Sequence, residues 1–263
     1  MVKRAGSAFL AAPAARIPLA VLAVLMVAVA GCDAEPVRPA PVAGEITVYA
    51  DASMTGAFTA IGRAFERRHP GTKVALTFRG SGALARQLVQ GARADVFAAA
   101  DAATMRQVTG AGEATTFARN QIVIAVPEGN PRVVSGPADL TRRGVRVALC
   151  VATEPCGAAA RLAFAAAGAS ITPAAEVPDV TAALAALERG DVHAAFVYRT
   201  DARAAKSQVD AVEFPESAQA VGDDVIAVLK DAPNLATAQA FVAFVLSPEG
   251  TAILAGAGFK RPS

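Results

Sequence analysis

The chain has 263 residues, of which 54% are hydrophobic and 18% are charged. Three of its 25 lysines and arginines lie in the first 31 residues, which hold none of its 23 acidic residues. The remainder therefore carries 22 basic and 23 acidic side chains, a net charge of −1. This balance leaves no basic surface for nucleic acid, and we exclude that class of partner. About 220 residues remain beyond the N-terminal segments, enough for one large domain or for two lobes with separate cores.

An export signal and a lipid anchor are predicted at the N-terminus. Lys3, Arg4 and Arg16 precede the apolar run IPLAVLAVLMVAVA, which is shorter than the about 20 residues of a membrane-spanning helix. We therefore predict a signal peptide over residues 1–31. The sequence VAGC resembles a bacterial lipobox, in which Cys32 becomes the lipidated first residue of the mature protein; a plain signal anchor is the alternative. Residues 32–44, rich in proline and alanine, are predicted to form a tether. We expect the protein on the outer side of the cytoplasmic membrane, in the periplasm or at the cell surface.

Strands and helices alternate from residue 45 onward. EITVYA, KVALTF and ADVFAAA are short apolar runs typical of strands. SMTGAFTAIGRAFERRHPG and GALARQLVQG stand between them with apolar residues at helical spacing, and Pro70 and Gly71 end the first of these helices. The order strand, helix, strand, helix, strand predicts right-handed βαβ units and a parallel sheet.

A second alternating block follows the apolar run QIVIAVPEGNP. It contains the strands VRVALCV and VHAAFVY and the helices GAAARLAFAAAG and DVTAALAALERG. The strand DDVIAVLK and two helices around Pro248 close the chain, and we expect these helices to pack on the first block. We predict an α/β fold of two lobes, lobe I from residues 45–122 and 224–263 and lobe II from residues 123–223. Its ligand cleft would lie between the lobes, where the strands end.

Small or polar residues stand where four of the predicted helices begin. Ser53 follows YADA, Ser81 begins the second helix, Pro155 stands in the first turn of the third, and Asp179 and Val180 open the fourth. Each helix start offers unpaired N–H groups and roughly half a positive charge, so four of them aimed at one point present about +2. Such a group would hold a dianion without lysine or arginine. The alternative is that these residues only cap their helices, each stabilising by about 1 kcal/mol.

Two cysteines stand six residues apart in LCVATEPCG. An exported protein can form disulfides, and a bond between Cys150 and Cys156 would stabilise the fold by roughly 2 kcal/mol. A metal site, which lacks further ligands nearby, and two free thiols are the alternatives.

The motifs of common enzymes are absent from the sequence. GSG lacks the Lys-Ser/Thr pair of a phosphate-binding loop, and no G-x-S-x-G segment occurs. His69 and His193 have neither metal-ligand nor catalytic company, and we interpret both as structural. We predict a protein that is not an enzyme, with no catalytic residues, no cofactor and no cation site.

Several segments together resemble the periplasmic molybdate-binding proteins of ABC importers. They are ITVYADASMTGAFTAIGRAFE, FRGSGALARQLVQGARADVFAAAD, CGAAARLAF, DVTAALAALERGDVHAAFVYRTDA and PEGTAILAGAGF, and the resemblance covers about residues 45–260. It implies a type II periplasmic-binding-protein fold whose two α/β lobes close on tetrahedral molybdate or tungstate. It also implies delivery of the anion to the membrane subunits of an ABC permease by a monomeric binding protein.

The resemblance carries five ligand-binding residues onto this chain. It places hydroxyl donors on Ser53 and Ser81, backbone N–H donors on Cys156 and Val180, and a further hydroxyl on Tyr198. These positions coincide with the helix starts noted above and with the end of one strand.

Two positions depart from the family pattern. Asp51 replaces a small apolar residue, and strand alternation places it on the same side as Ser53, where its carboxylate would repel a dianion. The segment RGSGA around Ser81 has fewer hydroxyls than the family version, so backbone N–H groups freed by Gly80 and Gly82 are expected to replace one of them.

These departures leave other ligands open. The alternatives are another oxyanion such as sulfate or phosphate on the same fold, a ferric ligand, a sensor that feeds no permease, or an enzyme of oxyanion metabolism. A single tyrosine at the cleft disfavours a ferric site, and the missing base disfavours an enzyme.

Overall fold

The computed structural model describes residues 41–108 and 113–262. The predicted signal peptide, the lipidated Cys32 and most of the tether lie outside the described residues. The strands of the described part are β1 (Gly44–Asp51), β2 (Thr72–Arg79), β3 (Val96–Ala99), β4 (Thr115–Pro127), β5 (Val147–Cys150), β6 (Ala175–Val177), β7 (Ala194–Tyr198), β8 (Val209–Val212) and β9 (Val221–Val228). Its α-helices are α1 (Thr55–Arg68), α2 (Ser81–Val89), α3 (Ala102–Arg106), α4 (Pro155–Ala166), α5 (Val180–Glu188), α6 (Arg199–Ala204), α7 (Leu235–Leu246) and α8 (Pro248–Ala257).

The strands form one mixed sheet in the order β2-β1-β3-β9-β4-β7-β5-β6, with β8 paired to β4. β1 runs parallel to β2 and β3, and β5 runs parallel to β6 and β7, which confirms the predicted βαβ units in both blocks. The parallel sheet predicted from the first three strands is confirmed, but it does not extend across the molecule: β9 pairs antiparallel with β3 and β4, and β4 pairs antiparallel with β7 and β8. A chain that crosses to the second block and returns must run in the opposite direction on its way back.

The long strand β4 belongs to both halves of the sheet. Its residues from Thr115 to Gln121 pair with β9, and its residues from Ile122 to Ala125 pair with β7. The buried side chains divide accordingly. One core surrounds Ile46, Phe58 and the other apolar residues of β1, α1 and α7, and another surrounds the apolar residues of β5, β7 and α4. Below, lobe I denotes the half around β1, β2, β3 and β9, and lobe II the half around β5, β6, β7 and β8.

The two closing helices pack on lobe I, as predicted. Phe241 of α7 is fully buried and meets Phe58 and Phe65 of α1 edge to face, with ring centroids 6.3 and 5.4 Å apart. Aromatic edge contacts of this kind stabilise beyond the area that they bury. Within the described residues no single helix is long and apolar enough to cross a membrane; α7 and α8 meet that measure only as a pair, bent by 61°.

Candidate functional site

Ser53 lies in a tight turn between the first strand and the first helix. The residues Ala52–Met54 form a single 3₁₀ turn after β1, and α1 starts only at Thr55. The alternative interpretation of Ser53 as a cap of α1 is wrong: Asp51 caps the 3₁₀ turn through Oδ1, which accepts from the Ser53 N–H at 3.0 Å. A carboxylate within reach of this N–H holds the chain in the tighter turn before the helix begins.

Ser81 is the first residue of α2 and is fully buried. Its N–H and its hydroxyl both donate to Asp51 Oδ2, at 2.9 and 2.5 Å. Its Oγ also accepts from the N–H of Ala100, at 3.0 Å, which fixes the hydroxyl against the end of β3. The start of α2 is thereby tied to the ends of both neighbouring strands.

Asp51 joins the two serines. Its Oδ1 accepts from the N–H and the hydroxyl of Ser53, at 3.0 and 2.8 Å, while its Oδ2 accepts the two bonds from Ser81. The side chain is 4% exposed, so it points into the protein on the side of Ser53, as strand alternation predicts. Burial raises the pKa of Asp51 above its usual value, and the four hydrogen bonds act against that rise.

Lobe II contributes two helix starts. Cys156 is the second residue of α4, after Pro155, and Val180 is the first residue of α5, as the sequence predicted. N–H groups in the first turn of a helix have no acceptor within that helix. The N–H groups of Cys156 and Val180 can therefore donate to a ligand without breaking a helical hydrogen bond. The predicted disulfide between Cys150 and Cys156 is present and closes the loop that leads into α4.

Tyr198 ends β7 and is almost completely buried. Burial raises its pKa well above the usual value, and the negative charges of Asp51 and Asp224 raise it further. Its hydroxyl therefore stays protonated at neutral pH and can donate a hydrogen bond. The backbone N–H of Tyr198 donates to Asp201 Oδ2 at 2.9 Å, which anchors the turn from β7 into α6.

Glu154 connects the two lobes next to these residues. It precedes α4 in lobe II, yet its Oε2 accepts from the N–H of Gly82 in α2 at 2.7 Å, and its Oε1 lies 3.2 Å from Arg86. Its side chain is 1% exposed. Sequence reasoning did not single out Glu154. An acidic residue before a helix normally signals a cap, so nothing in the sequence marks it as a bridge between lobes.

Other close approaches bring the remaining site residues to the same interface. A Cβ on Gly80 would lie 2.8 Å from the carbonyl oxygen of Pro178, just before α5. On the opposite side, the Thr200 hydroxyl of α6 lies 3.4 Å from the Ser53 carbonyl oxygen. Ser53 and Ser81 of lobe I therefore stand beside the lobe II segments that carry Cys156, Val180 and Tyr198.

Asp224 is a buried acid that sequence reasoning did not single out. It lies in β9 with 1% exposure, and neither of its carboxylate oxygens has a hydrogen-bond partner among the described residues. Burial raises its pKa well above the usual value, and the charges of Asp51, Asp223 and Asp201 raise it further. The sequence of β9 gave no signal that one acid of the pair Asp223–Asp224 would face inward without a hydrogen-bond partner among the described residues.

Replacing Asp224 with asparagine is expected to raise the melting temperature by several degrees at about pH 8 and by less as the pH falls toward about 4. The raised pKa means that the folded protein favours the neutral carboxyl. The wild type is therefore stabilised below the unfolded-state pKa and loses that stability as the pH rises through the folded-state pKa. Thermal unfolding across this range measures the effect. Asp223→Asn is the matched control, because Asp223 is half exposed and faces Arg119. An equal gain for Asp224→Asn at every pH would contradict the prediction.

The two histidines make packing and hydrogen-bond contacts in the described part of the chain. His69 stacks on Phe65, and His193 Nδ1 accepts from the N–H of Arg146 at 3.0 Å. No group of three or more potential metal ligands occurs among the described residues. Arg199 is partly buried and donates to Glu213 and Gln121.

The fold and this site together define a class of protein. Two α/β lobes share the crossing strand β4, and buried helix starts from both lobes meet between them, which is the arrangement of a two-lobed solute-binding protein. The chain belongs to the family of bacterial extracellular solute-binding proteins, whose family model matches residues 46–260.

Individual relatives give a more specific comparison than the family model. The chain is 42% identical over 231 residues to the molybdate-binding protein ModA of Mycobacterium tuberculosis (strain H37Rv), a match that covers 86% of this chain and 88% of that protein. The predicted resemblance to molybdate-binding proteins is thereby confirmed. Among solved structures, the periplasmic molybdate-binding protein of Azotobacter vinelandii superposes with a TM-score of 0.70 at 20% identity, covering 83% of this chain and all of that one. The sulfate-binding protein SubI of Mycobacterium tuberculosis H37Rv also gives 0.70, at 17% identity over 83% and 87% of the two chains. At these identities the structures show the fold alone, and they confirm the type II periplasmic-binding-protein architecture.

Proposed function

We propose that this protein captures molybdate or tungstate outside the cytoplasmic membrane and delivers the anion to an ABC permease. The observation that carries the proposal is the meeting of Ser53 and Ser81 with the segments of Cys156, Val180 and Tyr198 at one buried interface between the lobes. The relatedness to ModA supports the choice of anion. The named relatives are binding proteins, which supports a protein without catalytic residues.

The chemistry of these residues suits a tetrahedral dianion. Each contributes a neutral donor, from a hydroxyl or from the first turn of a helix, and helix starts add partial positive charge. Such donors avoid the cost of burying an unmatched guanidinium group. Selection against sulfate, which is also a tetrahedral dianion, would then depend mainly on the size of the closed cavity, and tungstate would follow molybdate.

Capture requires the lobes to open and close. We expect one hinge within residues 121–126, where β4 crosses from lobe I to lobe II, and the other within residues 219–225, where β9 begins. The lobes that move about these hinges would be residues 45–122 with 224–263 and residues 123–223. Glu154 and Gly82 would form a contact of the closed state.

The N-terminal segments would hold the protein where it works. We expect signal cleavage before Cys32, a lipid on that cysteine, and a tether that lets a monomeric domain reach the membrane subunits of the permease. Stable anchoring to a membrane needs two acyl chains rather than one, and a lipidated N-terminal cysteine would carry them. Mass spectrometry of the exported protein would show the lipid directly.

Thermal unfolding with a panel of anions tests the proposed ligand. At a concentration of about 100 times Kd a ligand stabilises the folded state by about 2.7 kcal/mol, which for this size raises the melting temperature by roughly 5–11 °C. We expect that rise with molybdate and tungstate and none with sulfate, phosphate or ferric citrate. A rise with sulfate or phosphate alone would assign the site to another oxyanion, and no rise with any anion would contradict the proposal.

A further inference from the structure

The Asp51 carboxylate is bound in the way that the site is expected to bind its anion. Two oxygens of one negatively charged group accept from an N–H and a hydroxyl of Ser53 and from an N–H and a hydroxyl of Ser81. The four donors include both serine hydroxyls, which are the groups that the proposed site draws from these two residues.

The donors cannot serve two anions at once. An N–H and a serine hydroxyl each have one proton to donate. While Asp51 is ionised, its two oxygens take all four protons, so an incoming oxyanion meets no free donor on either serine. It also meets a buried negative charge at the same place, and like charges repel strongly where water is excluded.

We infer that Asp51 is an internal competitor for the oxyanion site, and that the anion binds together with one proton, which the Asp51 carboxyl takes up. This inference rests on the proposed function. The proton comes from solvent and forms an O–H bond on Asp51, and no other bond is made or broken. A neutral carboxyl releases donors of the serines to the anion and gains an O–H that can itself donate to an anion oxygen.

The charged surroundings of Asp51 favour this exchange. The negative charge of Asp51 raises the pKa of acidic groups on four neighbouring segments: Glu154 before α4, Tyr198 at the end of β7, Asp201 in α6 and Asp224 in β9. The neighbouring arginines pair with another acid or face solvent. Arg86 pairs with Glu154, and Arg79, opposite Asp51 in the sheet, is exposed.

A proton is therefore the available means of offsetting the charge that a dianion brings into this acidic interior. The direction of the pH effect follows by linkage. Burial already raises the pKa of Asp51 in the free protein, and a bound dianion raises it further. Between these two pKa values the complex holds one proton more than the free protein, so the affinity increases as the pH falls, by up to about tenfold per pH unit. Above both values the carboxylate stays ionised and the affinity is low but constant.

Isothermal titration with molybdate between about pH 6 and about pH 8.5 tests the inference. Measurement in two buffers of different ionisation enthalpy gives the number of protons bound. For the wild type we expect an uptake approaching one proton and an affinity that rises toward low pH. Asp51→Asn keeps an oxygen for the serines but carries no charge, so it should bind at least about tenfold more tightly at the highest pH and show no slope. This variant also reports any protonation of the molybdate ion itself, and Asp51→Ala repeats the test if the asparagine variant is unstable.

Asp139→Asn is the matched control. Asp139 accepts from the N–H and the hydroxyl of Ser135 in lobe II in the same way, but on the surface, so this variant should keep the slope of the wild type. Binding by the wild type without proton uptake, or a slope that persists in Asp51→Asn, would overturn the inference and leave the proposed function standing. Absence of molybdate binding in the wild type and in both Asp51 variants at every pH would overturn the proposed function instead.

Discussion

Replacing Gly82 with alanine is expected to lower the affinity for molybdate by roughly 10- to 100-fold while leaving the unliganded protein as stable as before. A Cβ at this position would lie 2.7 Å from the Thr153 carbonyl oxygen and 2.9 Å from Glu154 Oε1. Both atoms belong to lobe II, so the added methyl group obstructs only the contact between the lobes. Within α2 itself, alanine stabilises a helix by up to about 1 kcal/mol relative to glycine. Titration with molybdate and thermal unfolding without it measure the two effects.

The control for this variant is Gly256→Ala. Gly256 lies in α8, and a Cβ there would meet no atom within 4 Å, so neither affinity nor stability should fall. An unchanged affinity in Gly82→Ala would show that the contact between Gly82 and Glu154 forms no part of the ligand-bound state.

Replacing both Cys150 and Cys156 with serine is expected to destabilise the protein by about 2 kcal/mol and to lower the melting temperature by roughly 4–8 °C. The bond closes a short loop, and both cysteines are buried in the core of lobe II. The loop is packed tightly against the start of α4, because a Cβ on Gly157 would overlap the carbonyl oxygens of Cys150 and Val151. Loss of the bond would therefore also loosen the segment that carries the Cys156 N–H.

Thermal unfolding of the oxidised wild type and of the double variant measures this loss. Addition of a reductant should bring the wild type toward the variant and leave the variant unchanged. Equal melting temperatures for the two oxidised samples would contradict a stabilising role for the disulfide.

Local patterns in the sequence predicted where the helices and the strand of the candidate site begin and end. Pro155, Asp179 and Ser81 mark helix starts through short-range chemistry, and the structure begins α4, α5 and α2 within one residue of them. The end of β7 at Tyr198 likewise follows from a compact apolar run. These features depend on neighbours in the chain and can be recognised without the fold.

Features that depend on distant partners escaped the sequence. Glu154 binds Gly82 across 72 positions of the chain, and Asp51 binds Ser81 across 30. Strand alternation indicated that Asp51 points inward, but no pattern showed that it takes the donors of both serines. The antiparallel course of β4 and β9 was missed for the same reason, since strand order depends on long-range pairing.

The site therefore combines two opposed features. Its donors are those expected for a dianion, while its interior holds Asp51, Glu154 and Asp224, and the Asp224 carboxylate has no hydrogen-bond partner among the described residues. Acids whose pKa is raised by burial release part of their unfavourable energy when they bind protons. Proton uptake on ligand binding would reconcile an acidic interior with an anionic ligand.

Diffraction from crystals grown with molybdate, recorded at the molybdenum absorption edge, tests the central claim most directly. The anomalous signal locates the metal atom without reference to the surrounding protein. We predict a single strong peak between the hydroxyls of Ser53, Ser81 and Tyr198 and the N–H groups of Cys156 and Val180, with the Asp51 carboxyl no longer holding all four serine donors. A peak outside the interface between the lobes, or molybdate bound there through arginine side chains while Asp51 keeps its four bonds, would contradict the account.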